Sequence, residues 1–110
     1  MTEAYSVNDN FDGLNLRPEL AQAVKTLGYT QPTPIQRGII PLMMAGSDVT
    51  GQAQTGTGKT AAFAIPILQQ LDPAARLPHA LVVAPTRELA MQVAEMTQAL
   101  GQYLEVRVLA

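Results

Sequence analysis

Eight consecutive residues, Ala53, Gln54, Thr55, Gly56, Thr57, Gly58, Lys59 and Thr60, constrain the fold of this chain more than any other stretch. They follow a strand candidate at 49–53 and open an apolar helical pattern that reaches about Leu71, with Pro66 inside it. A small residue, four variable positions and then Gly-Lys-Thr is the spacing of a phosphate-binding loop, with Ala53 where the strict pattern has glycine. Gly56 and Gly58 permit backbone conformations that turn successive N–H groups inward, making a nest for an anion. The following helix N-terminus adds about half a positive charge at the same point. Lys59 is placed to reach β- and γ-phosphates, and the Thr60 hydroxyl to hold Mg²⁺. Average residue usage yields such a pattern by chance in roughly one chain of this length in a hundred. The plainer reading is a Gly-rich turn, but a strand before and a helix after are the context that a phosphate loop requires.

The flanking sequence extends this unit in both directions. Leu16, Leu20, Val24 and Leu27 recur at helical spacing, with Pro18 and Glu19 in the first turn and Gly28 past the end. Thr33, Pro34 and Gln36 spell an N-cap, a Pro at N1 and a Gln at N3. That second helix is expected to run toward Ala45, with a kink at Pro41 and a stop at Gly46. Residues 80–84 form a continuous apolar run of strand length. Thr86 then caps a helix with Leu89, Val93, Met96 and Leu100 on one face and Gly101 at its end. Residues 104–109 alternate like a strand nearer an edge. The expected architecture is α/β: two helices, then a βαβαβ unit with a three-stranded parallel sheet.

Two further segments carry a plain and a sharp reading. Between 28 and 36, Gly28 reads as a C-cap, Tyr29 as a core aromatic and Gln36 as the far half of a capping box. The sharper reading has the Gln36 amide, both donor and acceptor, matching the N6–H and N7 edge of adenine, with Tyr29 stacked on the base. At 86–87, Thr86 is a helix cap and Arg87 a solvated first-turn residue. Alternatively, the outward-facing N–H groups of that cap hold a nucleic-acid phosphate.

Phe11 and residues 28–36, 53–60 and 85–90 resemble the upstream aromatic, Q motif, motif I and motif Ia of DEAD-box ATP-dependent RNA helicases. Order and spacing match from Phe11 to about Val108. The resemblance implies a RecA-like fold, with 14–110 as the incomplete N-terminal part of a first helicase domain behind an exposed tail at 1–13. It implies ATP and Mg²⁺ as cofactors, with Phe11, Tyr29 and Gln36 on the adenine side and Gln54, Thr55, Gly56, Thr57, Gly58, Lys59 and Thr60 on the phosphates. Lys59 and Thr60 take the catalytic roles, and Thr60 the metal. Pro85, Thr86 and Arg87 are implied to contact RNA backbone without regard to sequence.

Composition narrows the alternatives. A net charge of −2 and a pI near 5.2 exclude a basic body that coats nucleic acid through bulk charge, so a polyanion must be held locally. Without cysteine there is neither a disulfide framework nor a thiolate metal site. The acidic, polar start lacks a leader pattern and no apolar run reaches membrane length, so a soluble, cytoplasmic chain is expected. Hydrolysis also needs an Asp for the metal and a Glu for the attacking water. Asp9, Asp12, Asp48 and Asp72 do not follow apolar strands, and no Asp-Glu pair occurs. These residues alone are therefore expected to show no turnover. The alternatives are a nucleotide- or RNA-binding module, or another P-loop nucleotidase such as a kinase or transporter ATPase.

Overall fold

Helix α1 spans Pro18–Thr26, α2 Pro34–Met44, α3 Lys59–Gln69 and α4 Arg87–Leu100, with one 3₁₀ turn at Phe11–Leu14. They belong to a computed structural model that describes residues 11–53, 58–72, 74 and 76–110. None of the described helices is long and apolar enough to cross a membrane.

The helix ends follow from local chemistry. Pro18 and Pro34 occupy first turns, where a missing N–H costs nothing. At Thr33 the capping box is complete: its side chain accepts from the Gln36 N–H, and the Gln36 side chain accepts from the Thr33 N–H at 2.9 Å. α1 ends in a Schellman motif, in which Gly28 N–H bonds Lys25 O and Tyr29 N–H bonds Val24 O. Gly28 carries φ +83°, a left-handed conformation that glycine adopts without strain. The same pattern closes α2, where Gly46 bonds Met43 O and Ser47 bonds Leu42 O.

Two glutamines tie α2 to α3 at both ends. Gln36, in the first turn of α2, donates from Nε2 to Gly58 O just before α3. Gln70, just past α3, donates to the Met43 and Met44 carbonyls that end α2. The two helices therefore run parallel. α3 is the hub and packs against α1, α2 and α4. Ala61, Ala62, Ala64, Ile65, Pro66 and Leu68 are all buried on it, as expected for a helix that is apolar all round. Around it, Leu20 and Val24 of α1, Ile40 of α2, Leu100 of α4, Phe11 and Leu104 complete the core. Arg17 clamps α1 to the end of α3, its N–H donating to Gln69 Oε1 at 2.8 Å and its Nη1 to Leu71 O at 2.9 Å.

The expected three-stranded parallel sheet is not there: among the described residues there is no β-strand. A strand satisfies its backbone only through a neighbouring strand, and the three candidate segments go to different places. Gly51, in 49–53, lies so close to α2 that an added Cβ would meet Ile39 Cδ1 at 2.9 Å. Leu104 and Val106 turn back onto the helical core. Leu81 and Val83 stand in solvent, 89% and 84% exposed. Outside the helices, every backbone hydrogen bond among the described residues links positions close in sequence, and none joins one of these segments to another.

Candidate functional site

The N-terminus of α3 gathers the sequence motifs that are 22 residues apart at Gln36 and Gly58. Gly58 is the residue before the helix and carries φ +85°. Its missing side chain matters twice: a Cβ there would be strained by the backbone and would collide with Gln36 Nε2. Close approach of the Gln36 amide to the loop therefore requires glycine at 58. Lys59, exposed, and Thr60, half-buried, are the first two residues of α3. Gln54, Thr55, Gly56 and Thr57 lie outside the described residues.

Gln36 is the one buried polar side chain among the described residues, at 3% exposure. Burial is tolerable because both ends of its amide are engaged, Oε1 by Thr33 N–H and Nε2 by Gly58 O. An amide has two N–H donors and two oxygen lone pairs, so one of each is still uncommitted. The capping box was legible in sequence; the bond to Gly58 was not. Its only sequence signal is the coincidence of a cap glutamine and a loop glycine, which no local pattern joins.

Tyr29 is delivered by the Gly28 turn. Its ring stacks on Phe11, with centroids 6.2 Å apart and planes inclined by 27°. Its hydroxyl donates to Met96 Sδ on α4 at 3.2 Å. Phe11 is buried and Tyr29 half-buried, so the two rings form one aromatic pair beside α1. At α4, Thr86 Oγ1 accepts from Leu89 N–H at 3.1 Å, and Pro85, Thr86 and Arg87 are all exposed. That cap engages one of the first-turn N–H groups of α4. A cavity of about 370 Å³ borders the start of α3, lined by Ile35, Ile39, Met43, Val49, Gly51, Ala62 and Phe63 with Lys59 as its one charged residue. No cluster of three His, Asp or Glu that could hold a metal occurs among the described residues.

A family model described as DEAD/DEAH box helicase matches residues 33–110. The chain is 60% identical over 97 residues to the ATP-dependent rRNA helicase RRP3 of Meyerozyma guilliermondii, covering 88% of this chain and 20% of that protein. It is 55% identical over 94 residues to the ATP-dependent RNA helicase DeaD of Mycobacterium tuberculosis, covering 86% of this chain and 17% of the relative. It thus spans about a fifth of the length of the curated relatives it matches. Among solved structures, S. cerevisiae Dbp5 bound to RNA and ADP BeF3 superimposes with a TM-score of 0.85 at 36% identity, over 89% of this chain and 26% of that one.

Proposed function

The chain belongs to the DEAD/DEAH box helicase family, and on that premise we propose that it supplies the nucleotide-holding part of an ATP-dependent RNA helicase. The observation that carries this reading is the Gln36–Gly58 bond, which brings a base-reading amide and a phosphate-binding helix terminus into contact. In this reading the first-turn N–H groups of α3 and the Lys59 ammonium take the β- and γ-phosphates. Gln36 keeps its two internal bonds and offers the remaining N–H to adenine N7 and the remaining lone pair to the adenine amino group. Phe11 and Tyr29 supply the aromatic surface beside the base.

Mg²⁺ fits here in one way only. Thr60 offers a single neutral oxygen, and no carboxylate cluster occurs among the described residues, so it suits an ion that arrives with the nucleotide's phosphates and keeps most of its water. When bound, that ion would neutralise phosphate charge. The exposed cap of α4, Pro85 to Arg87, suits an RNA phosphate: the helix terminus supplies N–H groups, and the Arg87 guanidinium a charge-assisted bond. Both ligands are then held locally, as a chain of net charge −2 requires.

Turnover is a separate matter. No Asp-Glu pair is present in the 110 residues, so nothing here orients an attacking water. We assign these residues binding without hydrolysis when they stand alone. The deciding measurement is calorimetric titration of ATP into the 110-residue chain and its Lys59→Ala variant. Loss of binding in the variant, with the helical signal retained, supports the reading; an unchanged affinity overturns it.

A further inference from the structure

We propose that Met96 on α4 is a positioning residue for the nucleotide base, acting through Tyr29, whose ring it holds at one setting. This role rests on the reading above, in which Tyr29 forms part of the aromatic surface beside the base. Three restraints meet on the Tyr29 residue, and they act on different degrees of freedom. Its backbone is fixed by the turn that ends α1, where the Tyr29 N–H donates to Val24 O at 3.0 Å. Its hydroxyl donates to Met96 Sδ at 3.2 Å, across 67 residues of sequence. The hydroxyl lies on the long axis of the ring, so that bond sets the direction of the axis and leaves rotation about it open. Phe11 limits the rotation, its ring stacked on Tyr29 with planes inclined by 27°. Phe11 is itself buried in the core and so gives a firm support. With Phe11 against one face, a base has the other, and its stacking depends on the setting of the ring. Without the Met96 bond, the axis must be ordered at the cost of binding.

α4 can serve as the anchor because it is tied to α1 at a second point. Thr26 Oγ1, at the last residue of α1, lies 3.0 Å from Tyr103 Oη in the turn beyond α4. The Gly28 turn that delivers Tyr29 is therefore held against α4 from both sides, by Thr26 before it and by Tyr29 after it. The chemistry of position 96 is specific as well. Met96 shares an apolar stripe with Leu89, Val93 and Leu100, where packing alone would be satisfied by any aliphatic side chain. Of these four, methionine alone carries an acceptor, a thioether sulfur. A leucine at 96 would fill similar space and leave the half-buried Tyr29 hydroxyl without this partner.

The test is competition binding of ATP and of inorganic tripolyphosphate to the full chain and to its Met96→Leu, Tyr29→Phe and doubly substituted variants. Tripolyphosphate carries phosphates without a base, so it reads the start of α3 alone. Each single substitution keeps the packing and severs the same bond. ATP should bind about two- to tenfold more weakly in either single variant and no more weakly in the double one, with tripolyphosphate unchanged. With carbon-13 in the methionine methyl groups, Tyr29→Phe should also shift most the resonance that Met96→Leu abolishes. A purely structural Met96 would weaken both ligands alike, and two unrelated effects would add in the double variant; either outcome overturns the proposal. So does an unchanged ATP affinity in Met96→Leu. In all three cases the parent chain still binds ATP, and the functional reading survives. A parent chain that binds no ATP overturns that reading, and the positioning role falls with it. If Met96→Leu loses its helical circular dichroism, Tyr29→Phe and the methionine resonance decide.

Discussion

Helix α3 and the run at 80–84 are both dense in apolar residues, yet the structure treats them oppositely. Ile65 and Leu68 on α3 are 0% and 1% exposed, whereas Leu81 and Val83 are 89% and 84% exposed. Hydrophobicity does not separate them; backbone bookkeeping does. A helix closes its N–H···O=C bonds within itself, so α3 needs only neighbours with complementary side chains to be buried on all sides. A strand borrows every backbone bond from another strand. Apolar side chains on a segment with no such neighbour are left in water together with its unpaired N–H and C=O groups.

Replacing the same side chain in the two regions gives the strongest test. Leu68→Ala should cost about 2–5 kcal/mol, since it empties a fully packed position. Leu81→Ala should change stability by no more than about 0.5 kcal/mol, since it removes a side chain that touches mostly solvent. Urea denaturation followed by circular dichroism reads both, and equal losses would break the comparison. An intermediate effect is expected at Gln36. Gln36→Ala leaves the Thr33 N–H and the Gly58 carbonyl without their partner, which costs about 1–3 kcal/mol. It should also weaken ATP more than GTP in competition binding. Equal weakening of the two nucleotides would reduce Gln36 to a cap. A smaller loss than at Gln36 is expected at Thr86, whose cap is exposed and bonds Leu89 N–H alone. Thr86→Ala should cost about 1 kcal/mol and speed amide exchange at Leu89 while leaving α2 and α3 unaffected.

The difference between these regions is also the difference between what was legible in the sequence and what was not. All four helices lie where periodicity and punctuation put them, because Thr33, Pro34, Gly28, Gly46 and Thr86 act within a few residues of themselves. The strands failed because the rule used for them, an apolar run bounded by turn residues, describes a side-chain pattern and is silent on the partner. The face of α4 shows the same limit. Leu89, Val93, Met96 and Leu100 share a stripe, but Leu100 is fully buried and Leu89 is 39% exposed, since cover fades toward the end of α4 nearest 80–84. In the candidate site, residue types and spacing announced the start of α3 at Lys59 and the capping box at Thr33. The Gln36–Gly58 contact, the Phe11–Tyr29 stack and the Tyr29–Met96 bond are tertiary, and sequence spacing does not encode them.

The parallel pairing of α2 and α3 also bears on the order in which the chain closes on itself. Its two glutamine bonds join positions 22 and 26–27 residues apart. The Arg17 bond to Gln69 spans 52 residues, and the Tyr29 bond to Met96 spans 67. Closure entropy rises with the logarithm of loop length, so joining Gln36 to Gly58 costs about 0.8 kcal/mol less than joining Arg17 to Gln69 from the open chain. Once α2 and α3 are docked, the chain between Arg17 and Gln69 is already shortened, and the longer closure is eased by the shorter one. The glutamine at each end of the pair thus favours an order of closure as well as a geometry: α3 docks on α2 at the lower entropic cost, and α1 then joins a pair already formed.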